Sequence, residues 1–120
     1  MDGSPIRVVI VDDHRVVVES IAALLDLTSD FSVAGIATTA DDGAELVLRE
    51  RPDVALFDVD FPGRDSFDVL PQLMKRVPST RMAFLTAHLS DVFVSQAVRM
   101  GVHGYVLKDE SSAKFCSAIK

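Results

Sequence analysis

The sequence predicts an α/β domain, a (βα)5 doubly wound five-stranded parallel sheet with helices on both faces. Three observations carry that expectation. Apolar runs of strand length recur along the chain, each is followed by apolar residues at helical spacing, and capping residues, Gly or Pro punctuate the boundaries. The length, 120 residues, is that of one ordinary domain, and a composition 48% hydrophobic and 25% charged contains no biased tract. A chain of this size buries roughly two-thirds of the surface its unfolded form exposes, enough for a free-standing core.

The elements follow in order. Ile6-Arg7-Val8-Val9-Ile10-Val11 is the first strand, and Val17, Ile21, Leu24 and Leu25 then share one face of a helix from about Arg15 to Asp26. Phe31 to Thr38 alternates weakly and reads as the second strand. Thr39-Ala40-Asp41-Asp42 is a helix-start box whose carboxylates suit the positive end of a helix, and that helix runs to about Arg51, where Pro52 stops it. Val54-Ala55-Leu56-Phe57-Asp58 is almost wholly apolar, as a strand buried on both faces is, and it ends in a carboxylate. Phe61-Pro62-Gly63-Arg64 is a turn; Phe67, Leu70 and Met74 then share a face of a helix from roughly Ser66 to Val77, closed by Pro78. Met82 to Thr86 is the fourth strand. Ser90 caps a fourth helix that Gly101 stops, Gly104 to Leu107 makes the fifth strand, and a last helix starts at Ser111. Lys120 is expected to fall inside that helix or at its end, so residues 1–120 read as one domain with no linker and no repeat.

Charge and cysteine content narrow the function. The net charge is −6, but residues 1–60 hold 13 acids and 4 bases while residues 61–120 hold 5 acids and 8 bases. An acidic balance argues against unaided nucleic-acid binding, which needs a basic footprint to displace counterions. Cys116 is the single cysteine, which excludes a disulfide scaffold and a multi-thiolate metal site and points to a reducing compartment. The first residues match neither a signal peptide nor a membrane span, so the expected location is the cytoplasm.

Doubly wound sheets bind ligands outside the carboxyl ends of their strands. Asp12 and Asp13 end the first strand, Asp58 the third, Thr86 the fourth and Lys108 the fifth. Each alone has an ordinary structural explanation, a carboxylate as helix cap or a threonine bonded to backbone; five converging on one edge is a pattern. Asp12 and Asp13 share a site only where the strand turns into its loop, and their mutual repulsion calls for a divalent cation. Magnesium fits best, because it takes hard oxygen ligands and completes its shell with water and phosphate. Lys108 supplies a point charge and Thr86 a hydroxyl for phosphoryl oxygens, which leaves Asp58 as the nucleophile.

Val11-Asp12-Asp13-His14, Phe57-Asp58-Val59-Asp60-Phe61-Pro62-Gly63, Leu85-Thr86-Ala87 and Gly101-Val102-His103-Gly104-Tyr105-Val106-Leu107-Lys108-Asp109 are four ordered motifs at domain-wide spacing. With them, essentially the whole chain resembles the receiver domain of two-component response regulators. The resemblance implies a flavodoxin-like strand order 2-1-3-4-5. It implies that Asp58 accepts phosphate from a sensor histidine kinase, that Asp13 binds Mg2+ directly and Asp12 through water, and that the Asp60 backbone carbonyl is a third protein ligand. It also implies a switch in which Thr86 moves toward the phosphoryl group and Tyr105 turns inward, reshaping the face made by the fourth helix, fifth strand and fifth helix. Asp109 stands where many receivers have Pro, and the Leu-Lys-Asp ending resembles the NarL/FixJ subfamily. Ser66 stands where that subfamily commonly has Gly, so a positive φ there would be strained.

The expected function is a phosphorylation-controlled receiver that phosphorylates and dephosphorylates itself without being a turnover enzyme. Expected partners are a sensor histidine kinase, a second copy of the chain, and DNA only through an output domain beyond Lys120. Two other classes share part of the pattern. A non-phosphorylated interaction module would keep the fold, but not all five polar groups. An Asp-x-Asp phosphatase would use Asp58 and Asp60, but needs a late acidic cluster and a cap insertion that this chain lacks. His14 and His88 flank the pocket and read as solvated loop histidines, His103 as a turn residue, Met74, Met82 and Met100 as core fillers, and Cys116 as inert packing.

Overall fold

A computed structural model describes residues 5–27, 29–58, 66–86, 99 and 104–107, with residues 66–69, 86 and 104–107 described by backbone. The elements are β1 (Ile6–Val11), α1 (Arg15–Asp26), β2 (Phe31–Ala37), α2 (Ala40–Glu50), β3 (Val54–Asp58), α3 (Ser66–Arg76), β4 (Arg81–Thr86) and β5 (Gly104–Leu107). The five strands form one sheet in the order β2-β1-β3-β4-β5, every neighbouring pair parallel. The predicted fold class and strand order are therefore observed. The expected fourth and last helices and the turn at 61–64 lie outside the described residues, as does the Lys108–Asp109 bond.

Strand alternation splits the interior into two cores. Val9, Val11, Ala55 and Phe57 pack with Leu46 and Val47 of α2 and Leu70 and Leu73 of α3. The intervening residues Val8, Ile10, Val54 and Leu56 pack with Val18, Ile21 and Leu25 of α1. Burial on both faces is why Val8–Val11 of β1 and Val54–Phe57 of β3 read as continuous apolar runs, and β3 is buried at all five positions.

Local chemistry sets the ends of the elements. The β2 strand stops at Ala37, one residue short of expectation, because Thr38 and Thr39 bend into the cap of α2. Thr39 Oγ1 accepts the Asp42 backbone N–H at 3.1 Å, and Asp41 and Asp42 occupy the first turn. Arg51 ends α2 with φ 45°, left-handed rather than the extended backbone expected before Pro52, and its N–H bonds the Val47 carbonyl at 2.8 Å. The Arg7 guanidinium offsets that strain by donating to the Glu50 carbonyl at 2.7 Å and to Glu50 Oε1 at 3.0 Å.

Three further differences have physical causes. Ile21 and Leu25 are buried as predicted and Val18 joins them, while Val17 and Leu24 are half-buried at the margin of the same core, so the face is turned by about half a residue from the predicted stripe. The α3 helix ends at Arg76 and carries Pro71 inside it, on an exposed side where the missing N–H is lost from the solvent face. Ser66 begins α3, and among the described residues only Arg51 combines a side chain with positive φ, so the strain anticipated at Ser66 does not arise.

The approach of α2 to β1 depends on Gly43. A Cβ there would lie 2.6 Å from both Cγ atoms of Val11, a stiff buried side chain with nowhere to move. Ala normally favours an isolated helix over Gly by about 0.8–1.0 kcal/mol. Here Gly43→Ala is expected to destabilise instead, by about 1–3 kcal/mol, the scale of core overpacking. Urea melts measure it, and a stabilised variant would contradict the packing.

Candidate functional site

The register of the central strands builds the site. Ile10 pairs with Leu56 and Val11 with Phe57, so the next residues on the two strands, Asp12 and Asp58, reach the carboxyl edge side by side. Both are fully buried. The Asp12 N–H donates to the Ala37 carbonyl at 3.0 Å, which carries β1's pairing with β2 one residue past the strand. Asp13 is already in the loop, as the sharing of one site by two adjacent aspartates requires, and its side chain is partly exposed.

His14 closes the group. Its backbone N–H donates to Asp12 Oδ1 at 2.8 Å, a turn in which an aspartate bonds the main chain two residues on. That turn brings the ring back over the pocket, with Nδ1 3.0 Å from Asp12 Oδ1, 3.2 Å from Asp13 Oδ1 and 3.8 Å from Asp58 Oδ2. One ligating atom from each of Asp12, Asp13, His14 and Asp58 lies within 4.8 Å of every other. His14 is the solvated loop histidine expected, more than half exposed, and the structure adds that its Nδ1 faces the carboxylates. The Asp-x-His spacing at a strand-to-helix turn is the sequence signal that finds it.

Thr86 and Tyr105 take the places the sequence predicts in the backbone. Asp58 pairs with Leu85, and Thr86 follows at the same edge, paired with Leu107. Tyr105 pairs with Phe84. Asp60 and Lys108 lie outside the described residues.

Three carboxylates in so small a space suit a hard divalent cation. Buried like charges are costly, and carboxylate oxygens are the donors that Mg2+ prefers. The donor set therefore fits magnesium.

A parallel sheet ordered 2-1-3-4-5 places its ligand site at the β1/β3 switch point, which is where the acids gather, and this defines a doubly wound module with an acidic pocket. The chain belongs to the response regulator receiver domain family, whose model matches residues 8–120. It is 32% identical over 115 residues to the transcriptional regulatory protein YvfU of Bacillus subtilis (strain 168), covering 96% of this chain and 58% of that protein. It is 33% identical over 115 residues to the DNA-binding transcriptional activator DevR/DosR of Mycobacterium tuberculosis (strain ATCC 25618 / H37Rv), covering 96% and 53%. Among solved structures, the signal receiver domain of a NarL response regulator from Mycobacterium tuberculosis superposes with a TM-score of 0.90 at 32% identity, covering 97% of this chain and 94% of that one. The chain spans about half the length of the curated relatives it matches. No helix among the described residues is long and apolar enough to cross a membrane.

The pocket's electrostatics yield a prediction. Asp13→Asn keeps an acceptor oxygen but removes a charge, so without metal the variant is expected to melt at or above the wild-type temperature. With Mg2+ the wild type is expected to gain more than the variant, because ligand binding to the native state raises stability. Thermal melts with and without Mg2+ check both. A metal-free variant melting well below wild type would make the cluster a structural device.

Proposed function

We propose that this chain is a phosphorylation-controlled receiver in which Asp58 accepts a phosphoryl group from the phosphohistidine of a sensor kinase. The observation that carries the reading is the full burial of Asp58 at the end of the central strand, with its carboxylate grouped with those of Asp12 and Asp13. Asp12, Asp13, Asp58 and the backbone carbonyl of Asp60 would hold Mg2+. When bound, the ion neutralises the carboxylates and the oxygens of the incoming phosphoryl group.

Asp58 attacks phosphorus in line. The new O–P bond forms as the P–N bond to the donor imidazole breaks, and the nitrogen keeps the bonding pair and takes up a proton. The carboxylate is the nucleophile as it stands, so positioning and electrostatics supply the catalysis. Lys108 balances phosphoryl charge and Thr86 donates its hydroxyl to a phosphoryl oxygen. Water attack on the phosphorus later releases phosphate and restores Asp58, so the cycle sets the lifetime of a signal.

Thr86 drawn toward the phosphoryl group and Tyr105 turning inward then remodel the face built from the fourth helix, β5 and the last helix. A cytoplasmic regulator of transcription follows, with DNA contacted only through an output domain beyond residue 120 and a second copy of the chain as partner. The lengths of the relatives and the name of DevR/DosR support that arrangement.

Intact-mass measurement after incubation with Mg2+ and acetyl phosphate tests the assignment. The wild type is expected to gain one phosphoryl group, or none when EDTA is added before the donor, and Asp58→Asn is expected to gain none. Persistent phosphorylation of the variant would overturn Asp58 as the acceptor.

A further inference from the structure

We propose that His14 is a specificity-determining residue of the cation pocket: its imidazole competes with Mg2+ for the carboxylates and joins the coordination of ions that accept nitrogen. The inference rests on the cation-pocket reading above and adds a residue that carboxylate chemistry alone does not require.

The ring is aimed inward by the main chain. His14 occupies the N-cap position of α1 with φ −89° and ψ 99°, yet its side chain makes no cap hydrogen bond. The imidazole is therefore not engaged in holding the helix. Instead Nδ1 faces an oxygen from each of three carboxylates, at 3.0, 3.2 and 3.8 Å. The 2.8 Å bond from the His14 N–H to Asp12 Oδ1 ties the ring's own backbone to one of those carboxylates, so the ring is anchored at the pocket while its half-exposed side chain can still rotate in or out.

That position affects hard and borderline ions in opposite ways. Mg2+ takes oxygen ligands and binds imidazole poorly, so seating it against Asp12 and Asp13 requires the ring to turn away and give up its contacts with their oxygens. Ni2+ takes imidazole readily. Two adjacent ligands about 2.1 Å from an octahedral ion lie about 3.0 Å from one another. Nδ1 already has close to that spacing from the oxygens of Asp12 and Asp13. The ring thus opposes the first ion and assists the second.

Isothermal titration of the tag-free chain with MgCl2 and, separately, NiCl2 tests this in the wild type, His14→Ala, His14→Phe and Asp13→Asn. His14→Phe keeps the ring's bulk and removes its nitrogens, so a packing effect of the alanine is recognised. Both His14 variants are expected to lose Ni2+ affinity by about tenfold or more, and to bind Mg2+ at least as tightly as the wild type. Asp13→Asn is expected to weaken both ions. His14 variants that leave Ni2+ binding unchanged, or weaken both ions alike, overturn the role of His14; if Asp13→Asn still loses both ions, the pocket itself stands. A wild type that binds neither ion at millimolar concentration overturns the pocket reading and this proposal together.

Discussion

Asp12 and Asp58, both fully buried, stand side by side at the ends of adjacent strands, and the pocket is built around them. The pairing of Val11 with Phe57 fixes Asp12 beside Asp58, and Asp13 and His14 follow within the next two residues. Two unit charges about 4–5 Å apart repel by about 3–4 kcal/mol at an effective dielectric constant near 20. Whole domains are stable by about 5–15 kcal/mol. Bare repulsion of that size is a sizeable share of what a fold can sustain, so the acids need compensating groups, of which the His14 N–H and Nδ1 on Asp12 are two; the sheet that holds them together is apolar on both faces.

The two edges of the sheet treat acids differently, and the contrast separates structure from function. At the amino edge Arg7 bonds Glu50 through its guanidinium and Asp53 through its backbone N–H, while the Asp53 N–H and carbonyl bond Arg7 and Arg81. Thr80 Oγ1 donates to the Pro52 carbonyl at 2.7 Å and completes that clasp. Opposite charges and backbone groups are matched there, and the result is a well-tied junction between α2, β3 and β4. At the carboxyl edge three carboxylates face one imidazole nitrogen. Like charge gathered on rigid strands is an arrangement suited to a cation and a phosphoryl group rather than to stability.

Much of this was legible in the sequence because its causes are local. Strand segments buried on both faces are apolar without interruption, as in Val8–Val11 and Val54–Phe57, so β1 and β3 were readable to the residue, and Thr39 with Asp42 marked the start of α2. What escaped the sequence depends on tertiary contact. The left-handed Arg51 is tolerated because Arg7, far away in the chain, binds the helix end beside it. Pro71 is tolerated within α3 because it faces outward. The buried face of α1 is centred slightly off the predicted stripe because the sheet covers Val18 fully and Val17 only in part. The site followed the same division: Asp12, Asp13 and Asp58 stood out as acids after apolar runs, whereas His14 joined them only through a turn that Asp12 itself creates.

The proposed cation site rests on the register of β1 and β3, which gathers Asp12, Asp13 and Asp58 at one edge. Anomalous diffraction from a crystal of the chain grown with Mn2+ tests it most directly. A single strong anomalous peak is expected within coordinating distance of Asp13 and Asp58 carboxylate oxygens, with Asp12 bound directly or through one water. A crystal showing those three side chains ordered as described here, with no peak between them or with manganese bound elsewhere, would contradict it.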